Sequence, residues 1–182
     1  MSETRRVIAG LGKTGLSYAK FLTAQNLEFE VLEDNLTEGK MSQLNKIKKG
    51  VKVSSFSDNK LLDVSEIYLS PGVPKFKKCI DQAVKNGAQI LSDIKMFFDR
   101  VQCPVVAITG TNGKSTVAEL VALALANCFE NILLAGNIGE PVLDNINSKP
   151  ALAVLELSSF QLEDLYEVRP EVAVVLNLSP DH

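Results

Sequence analysis

The sequence predicts an α/β protein built on parallel sheets, and three observations carry that prediction. Short apolar runs alternate with longer helical patterns, the order expected of strand–helix–strand units. Three runs, VVAIT (105–109), ALAVLEL (151–157) and VAVVLNL (172–178), are apolar almost without interruption, like strands buried on both faces. Two runs lead into glycine-rich turns that open helices, GLGKTG (10–15) and GTNGKST (110–116).

RVIAG (6–10) reads as the first strand. After its turn, Leu16, Ala19, Phe21 and Leu22 supply the buried stripe of a helix. FEVLED (29–34) is a second strand ending in two acids, and VKVSSF (51–56) a third. SEIYLSPGVP (65–74) is a fourth, stopped by its proline and glycine. CIDQAVKNG (79–87) is helical with a glycine stop, AQILSD (88–93) gives another strand, and DIKMFFDRV (93–101) a helix. QCP then breaks the pattern. A boundary is expected near Gln102, dividing the chain into domains 1–101 and 102–182.

In the second domain, strand 105–109 enters the second glycine turn. The helix over 117–126 is nonpolar almost all round, Glu119 excepted, and is expected to be buried. NILLAG (131–136), 151–157 and 172–178 are further strands. The chain stops at NLSPDH, just past a strand with no helix after it, an ending expected of a piece of a longer protein.

Composition narrows the function classes. With 19 basic and 22 acidic residues, net −3, the chain has no basic field for nucleic acid. No apolar run approaches membrane-spanning length, and MSETRRVIAG is too short in apolar residues for a signal peptide. A cytoplasmic monomer is expected, with neither nucleic acid nor membrane as partner. Cys79, Cys103 and Cys128 lie in no CxxC spacing and read as reduced thiols packed in cores, and with one histidine in the chain no zinc site is expected.

Gly10, Gly12 and Gly15 fit G-x-G-x-x-G between a strand and a helix, a Rossmann-like arrangement. Its backbone N–H groups and helix N-terminus suit a pyrophosphate, and Glu33 or Asp34 could accept hydrogen bonds from a ribose. NAD and a nucleoside diphosphate both fit this pattern, and glycines kept only for close helix–strand packing are the ligand-free alternative. SPG (70–72) lies at another strand's carboxyl end, where such sheets bind ligands.

The second turn departs from G-x-x-x-x-G-K-[ST] in one place, Ile108, where the first glycine would stand. The remainder is a P-loop. Gly110, Thr111, Asn112 and Gly113 can wrap an anion, Lys114 can reach β- and γ-phosphates, and Ser115 or Thr116 can hold Mg²⁺. Asn137 follows the next strand, Glu156 ends another, and Asn177, Asp181 and His182 follow the last. A parallel sheet gathers these polar residues at the loop's own edge. A carboxylate in a buried strand is costly unless paired or metal-bound, so Lys114, Asn137, Glu156 and His182 suggest a second magnesium site.

TGTNGKST, GNIG, LELSSFQLE and NLSPDH, in this order, resemble the Mur ligases of bacterial peptidoglycan synthesis. The resemblance runs from Gly10 to His182, and LELSSFQL is its most specific element. It implies a UDP-binding Rossmann-like domain followed by the first part of a P-loop ATPase-type central domain. Gly12 belongs to the first glycine loop, and Lys13, Thr14, Asp34, Asn35, Ser70, Pro71 and Gly72 would contact the uridine diphosphate, with Asn137 and Ser158 facing the substrate. Lys114, Ser115 and Thr116 would bind ATP and magnesium, and Glu156 and His182 the second magnesium; Lys114, Glu156 and His182 would be the catalytic set.

The substrates implied are UDP-N-acetylmuramoyl-L-alanine and D-glutamate, with ATP and Mg²⁺. The family's carbamylated lysine and C-terminal domain fall beyond His182, so the chain alone is expected to be inactive. Another Mur ligase, a folylpolyglutamate synthase-like ligase, a nicotinamide-dependent dehydrogenase and a nucleotide-regulated binding module are the alternatives. The dehydrogenase leaves the second loop idle. The folylpolyglutamate synthase family lacks the UDP-binding domain and reads GKGS where this chain has Gly113-Lys114-Ser115-Thr116.

Overall fold

A computed structural model describes residues 4–57, 61–75, 77–163, 165 and 167–179. The chain forms two compact units, Met1–Asp93 and Ile94–His182. The division thus falls earlier than Gln102, before the last helix of the first pattern. That helix ends at Phe98, ahead of QCP, and a break in pattern need not coincide with a break in packing.

In the first unit, five parallel strands lie in the order β3-β2-β1-β4-β5: β1 (Arg6–Ala9), β2 (Glu30–Leu32), β3 (Val53–Ser54), β4 (Glu66–Leu69) and β5 (Gln89–Leu91). Helices α1 (Lys13–Ala24), α2 (Glu38–Ile47) and α3 (Lys78–Lys85) connect them. The chain leaves β1 toward β2 on one side and returns to β4 on the other, so β1 and β4 border a topological switch point. Ligands enter such sheets at the carboxyl ends there. Val7, Ala9, Leu32, Ile67, Leu69, Ile80 and Ala83 form the core, each side chain of Leu or Ile size contributing about 1.5–3 kcal/mol by burial. Tyr18 on α1 is fully buried, its hydroxyl 3.2 Å from the Leu69 carbonyl and 3.3 Å from that of Leu91. Helix α2 has no counterpart among the sequence expectations. Thr37 caps it, its hydroxyl accepting from the Lys40 N–H at 3.3 Å, and Leu44 is the residue it buries.

The second unit begins with α4 (Asp93–Phe98), the first residue of which lies across the division. Its four parallel strands run β7-β8-β6-β9: β6 (Val105–Thr109), β7 (Ile132–Gly136), β8 (Leu152–Glu156) and β9 (Val172–Val175). Strand β6 therefore sits between β8 and β9. Helix α5 (Lys114–Leu125) follows β6, and α6 (Ser159–Leu162) follows β8. Val106, Ile108, Ala118, Leu152 and Val154 make the core.

Helix α5 corrects the expectation of full burial. Only Ala118 is buried, while Leu120 and Leu123 are 59% and 69% exposed. A helix laid on one face of a sheet buries one stripe, here Val117, Ala118, Val121, Ala122 and Leu125, whatever the chemistry of its outer face. Cysteine placement is mixed as well: Cys79 is buried, Cys103 half-buried and Cys128, just past α5, exposed. Among the described residues no helix is long and apolar enough to cross a membrane.

Candidate functional site

At the switch point of the first unit, β1 ends in the glycine loop and β4 in Ser70. The Ser70 hydroxyl donates to the Gly10 carbonyl at 3.1 Å, joining SPG to the loop. A Cβ at Gly15 would lie 2.0 Å from the Gly10 carbonyl oxygen, so the helix can approach the strand this closely only without a side chain there. Gly12 is the N-cap residue of α1 with open space above it, and Lys13 and Thr14 begin the helix beside it.

The two acids ending β2 are spent within the fold. Glu33 accepts from the Leu11 N–H at 2.7 Å and the Asn35 N–H at 2.9 Å, and pairs with Lys40 at 3.1 Å. Burial pushes its carboxyl up, but these three donors outweigh burial and hold it below the ordinary value. Asp34 pairs with Lys77 at 2.6 Å and accepts from the Phe56 N–H at 3.0 Å; Lys77, then Phe56, hold it below its ordinary value. The Lys77 ammonium also lies 4.1 Å from the Phe56 ring centroid. Glu33 is therefore a brace for the loop, whereas Asp34 and Asn35 stay exposed at the rim.

A cavity of about 500 Å³ opens at the opposite edge, near the amino ends of β1–β3. Most of its cations are matched by acids: Arg5 and Lys52 on Glu30, Lys48 on Glu28, and Arg6 on Glu66. Cations neutralised in this way make a poor phosphate site.

In the second unit, register places Ile108 of β6 and Gly136 of β7 both opposite Glu156 of β8. Glu156 is 1% exposed. Ser115 donates to its Oε2 and Asn137 Nδ2 to its Oε1, each at 2.8 Å. Among the described residues its partners are neutral, so a buried carboxylate is solvated by dipoles rather than paired with a cation. Ser115 Oγ and Glu156 Oε2 are hard oxygen donors side by side, and such donors suit magnesium. No group of three or more His, Cys, Asp or Glu that could hold a metal occurs among the described residues.

The loop itself is strung between two side chains. Lys114 Nζ donates to the carbonyls of Gly110 at 2.6 Å and Thr111 at 2.9 Å. From the other side, Asn177 Oδ1 accepts from the N–H groups of Thr111 and Asn112 at 3.1 and 2.9 Å, and Asn177 Nδ2 donates to the Asn112 carbonyl at 2.9 Å. Gly113, at φ +84°, turns the chain into α5 through a left-handed conformation that disfavours a side chain.

The fold thus gathers Lys114, Ser115, Asn137 and Glu156 at one strand edge, with exposed Thr116 one residue further along α5. Ser158 is drawn elsewhere: it caps α6 and shares three hydrogen bonds with Gln161. Its S-x-x-Q spacing was the signal for that cap. His182 lies outside the described residues. Asn177 was visible as the polar end of an apolar strand, but its role in bracing the loop was not.

Residues 4–92 match the family model for the Mur ligase MurD-like N-terminal domain, and residues 108–182 that for the Mur ligase middle domain. The chain belongs to the Mur ligase family. It is 43% identical over 183 aligned residues to UDP-N-acetylmuramoylalanine–D-glutamate ligase of Coxiella burnetii, covering 100% of this chain and 41% of that protein. The ligase of the same name from Saccharophagus degradans is 44% identical, with 97% and 40% covered. This Mur ligase chain therefore spans about two fifths of those relatives' length. The same fold recurs in the crystal structure of UDP-N-acetylmuramate:L-alanyl-gamma-D-glutamyl-meso-diaminopimelate ligase from Neisseria meningitides, with 19% identity and a TM-score of 0.59, covering 100% of this chain and 62% of that one. A murein peptide ligase from Psychrobacter arcticus gives 18% and 0.55, with 98% and 44% covered.

Proposed function

We propose that this chain belongs to an ATP-dependent ligase that joins D-glutamate to UDP-N-acetylmuramoyl-L-alanine during cytoplasmic peptidoglycan precursor synthesis. The relatives' printed name supplies the substrates, and the Ser115–Glu156–Asn137 cluster beside the P-loop is the observation that carries the chemistry. Residues 1–101 take the uridine diphosphate at the edge formed by Gly12, Lys13, Thr14, Asp34, Asn35, Ser70, Pro71 and Gly72. Residues 102–182 take ATP, with the backbone of 110–113 around its phosphates.

In this reading the substrate's terminal carboxylate attacks the γ-phosphorus of ATP and ADP leaves, giving an acyl phosphate. The amine of D-glutamate then adds to the acyl carbon and phosphate departs, forming the amide. Both partners of the first step are anions, so the positive charge of Lys114 is needed where they meet. Ser115, Thr116, Glu156 and His182 would hold magnesium, which supplies further charge neutralisation when bound. Asn137 holds the Glu156 carboxylate in position and faces the substrate, while the Ser158 hydroxyl is taken up in capping α6.

Titration of the chain with UDP, NAD and Mg-ATP by calorimetry tests the assignment. UDP and ATP should bind independently, one equivalent each, with NAD weaker than UDP. Preferential binding of NAD, or competition between UDP and ATP for a single site, would overturn it.

A further inference from the structure

We infer that Asn177 is a positioning residue for the nucleotide loop, setting the direction of its backbone amides by holding them from the side of β9. This deepens the ATP-binding reading and rests on it. Residues 110–113 have no regular secondary structure, so neighbouring groups must fix which way their N–H groups and carbonyls face. Lys114 gathers the carbonyls of Gly110 and Thr111, while Asn177 gathers the N–H groups of Thr111 and Asn112.

Only a side chain with both an acceptor and a donor can pair with an N–H and a carbonyl of the same short stretch. The Asn177 carboxamide does so, taking both Asn112 N–H and Asn112 C=O. Further ties bind the same segments: the Thr111 N–H also donates to the Asn177 backbone carbonyl at 3.2 Å, the Leu176 N–H to the Thr109 carbonyl at 3.0 Å, and the Ser179 N–H to Thr111 Oγ1 at 3.0 Å. The loop is therefore anchored to residues 176–179 as well as to the helix it opens.

Neutrality matters as much as geometry. Aspartate would accept the same two N–H groups, but it would lose the donor to Asn112 and set a negative charge against a loop built for phosphates. Alanine would leave the Asn112 N–H without its partner and the Thr111 N–H with the Asn177 backbone carbonyl at 3.2 Å. The two substitutions therefore fail for different reasons, and the reasons can be read separately.

The experiment uses the whole chain as wild type, Asn177→Ala and Asn177→Asp. It measures Mg-ATP binding at low and high salt, hydrogen exchange over 108–116, and UDP binding as a control on folding. Asn177→Ala should speed exchange of the Asn112 amide most, with Thr111 less affected because it keeps the Asn177 backbone carbonyl, and weaken ATP binding by about tenfold at either salt concentration, with UDP binding unchanged. Asn177→Asp should keep exchange slow yet weaken ATP binding at low salt, with the loss shrinking at high salt. Equal ATP affinity in wild type and Asn177→Ala would overturn the inference, as would an Asn177→Asp loss indifferent to salt. Failure of the wild type itself to bind ATP would instead overturn the nucleotide assignment, and the exchange data would still decide whether Asn177 sets the loop. If Asn177→Ala loses UDP binding as well, the Asn177→Asp salt dependence decides.

Discussion

The two glycine loops of this chain solve one problem with different chemistry. Each leaves a central strand and opens a helix, and each has one or two backbone N–H groups held by a side chain from beyond a neighbouring strand's carboxyl end. In the first unit that side chain is Glu33, a carboxylate offset by Lys40; in the second it is Asn177, a neutral amide. The charged brace ties the first loop's stability to pH, whereas the neutral one adds no charge beside the triphosphate proposed for the second.

The largest effect should come from breaking the first loop's close approach. Gly15→Ala places a Cβ 2.0 Å from the Gly10 carbonyl oxygen, and the unit should lose about 3 kcal/mol or more in urea unfolding. Next in size, Lys114→Ala should weaken Mg-ATP binding roughly tenfold to a hundredfold through loss of a charge-assisted contact, while UDP affinity holds. A matching fall in UDP affinity would mean that the loops do not serve separate ligands.

Glu33→Gln probes the charged brace. A carboxyl depressed in the folded state adds stability above its unfolded value, and that stability is lost as pH falls through the folded value. The first unit should therefore weaken on acidification below the ordinary carboxylate range, and Glu33→Gln should flatten that part of the profile. At neutral pH the variant should cost about 1 kcal/mol. No replacement at Asn177 with another neutral residue should create such a slope. The smallest effect is expected from Gly12→Ala, whose Cβ would meet nothing within 4 Å: a change within about 0.5 kcal/mol, seen by the same unfolding assay.

The alternation of strands and helices was legible because apolar runs and glycine turns are local signals, and β6 was read with its observed ends. Helix α2 escaped because it buries only Leu44, leaving a weak apolar stripe amid lysines and acids. The exposure of Leu120 and Leu123 on α5 could not be read from composition, since it depends on what packs over the helix. Lys114 was legible from the P-loop pattern and Asn137 and Glu156 as polar ends of apolar runs, and parallel register brings the last two together. The internal bonding of Glu33 and Asn177 was not, because the same residue type serves a ligand or the backbone depending on which neighbour lies within 3 Å or so.

The separation of each brace from its loop also sets when that loop can take shape during synthesis. Glu33 lies 22 residues after Leu11, but Asn177 lies 66 after Thr111. At roughly 5–20 residues per second, the ribosome delivers the first brace about 1–4 s after its loop and the second about 3–13 s after its own. Nascent chains should therefore present a finished first loop while the second still waits for β9, and chains stalled between residues 157 and 176 should contain Glu156 but lack Asn177.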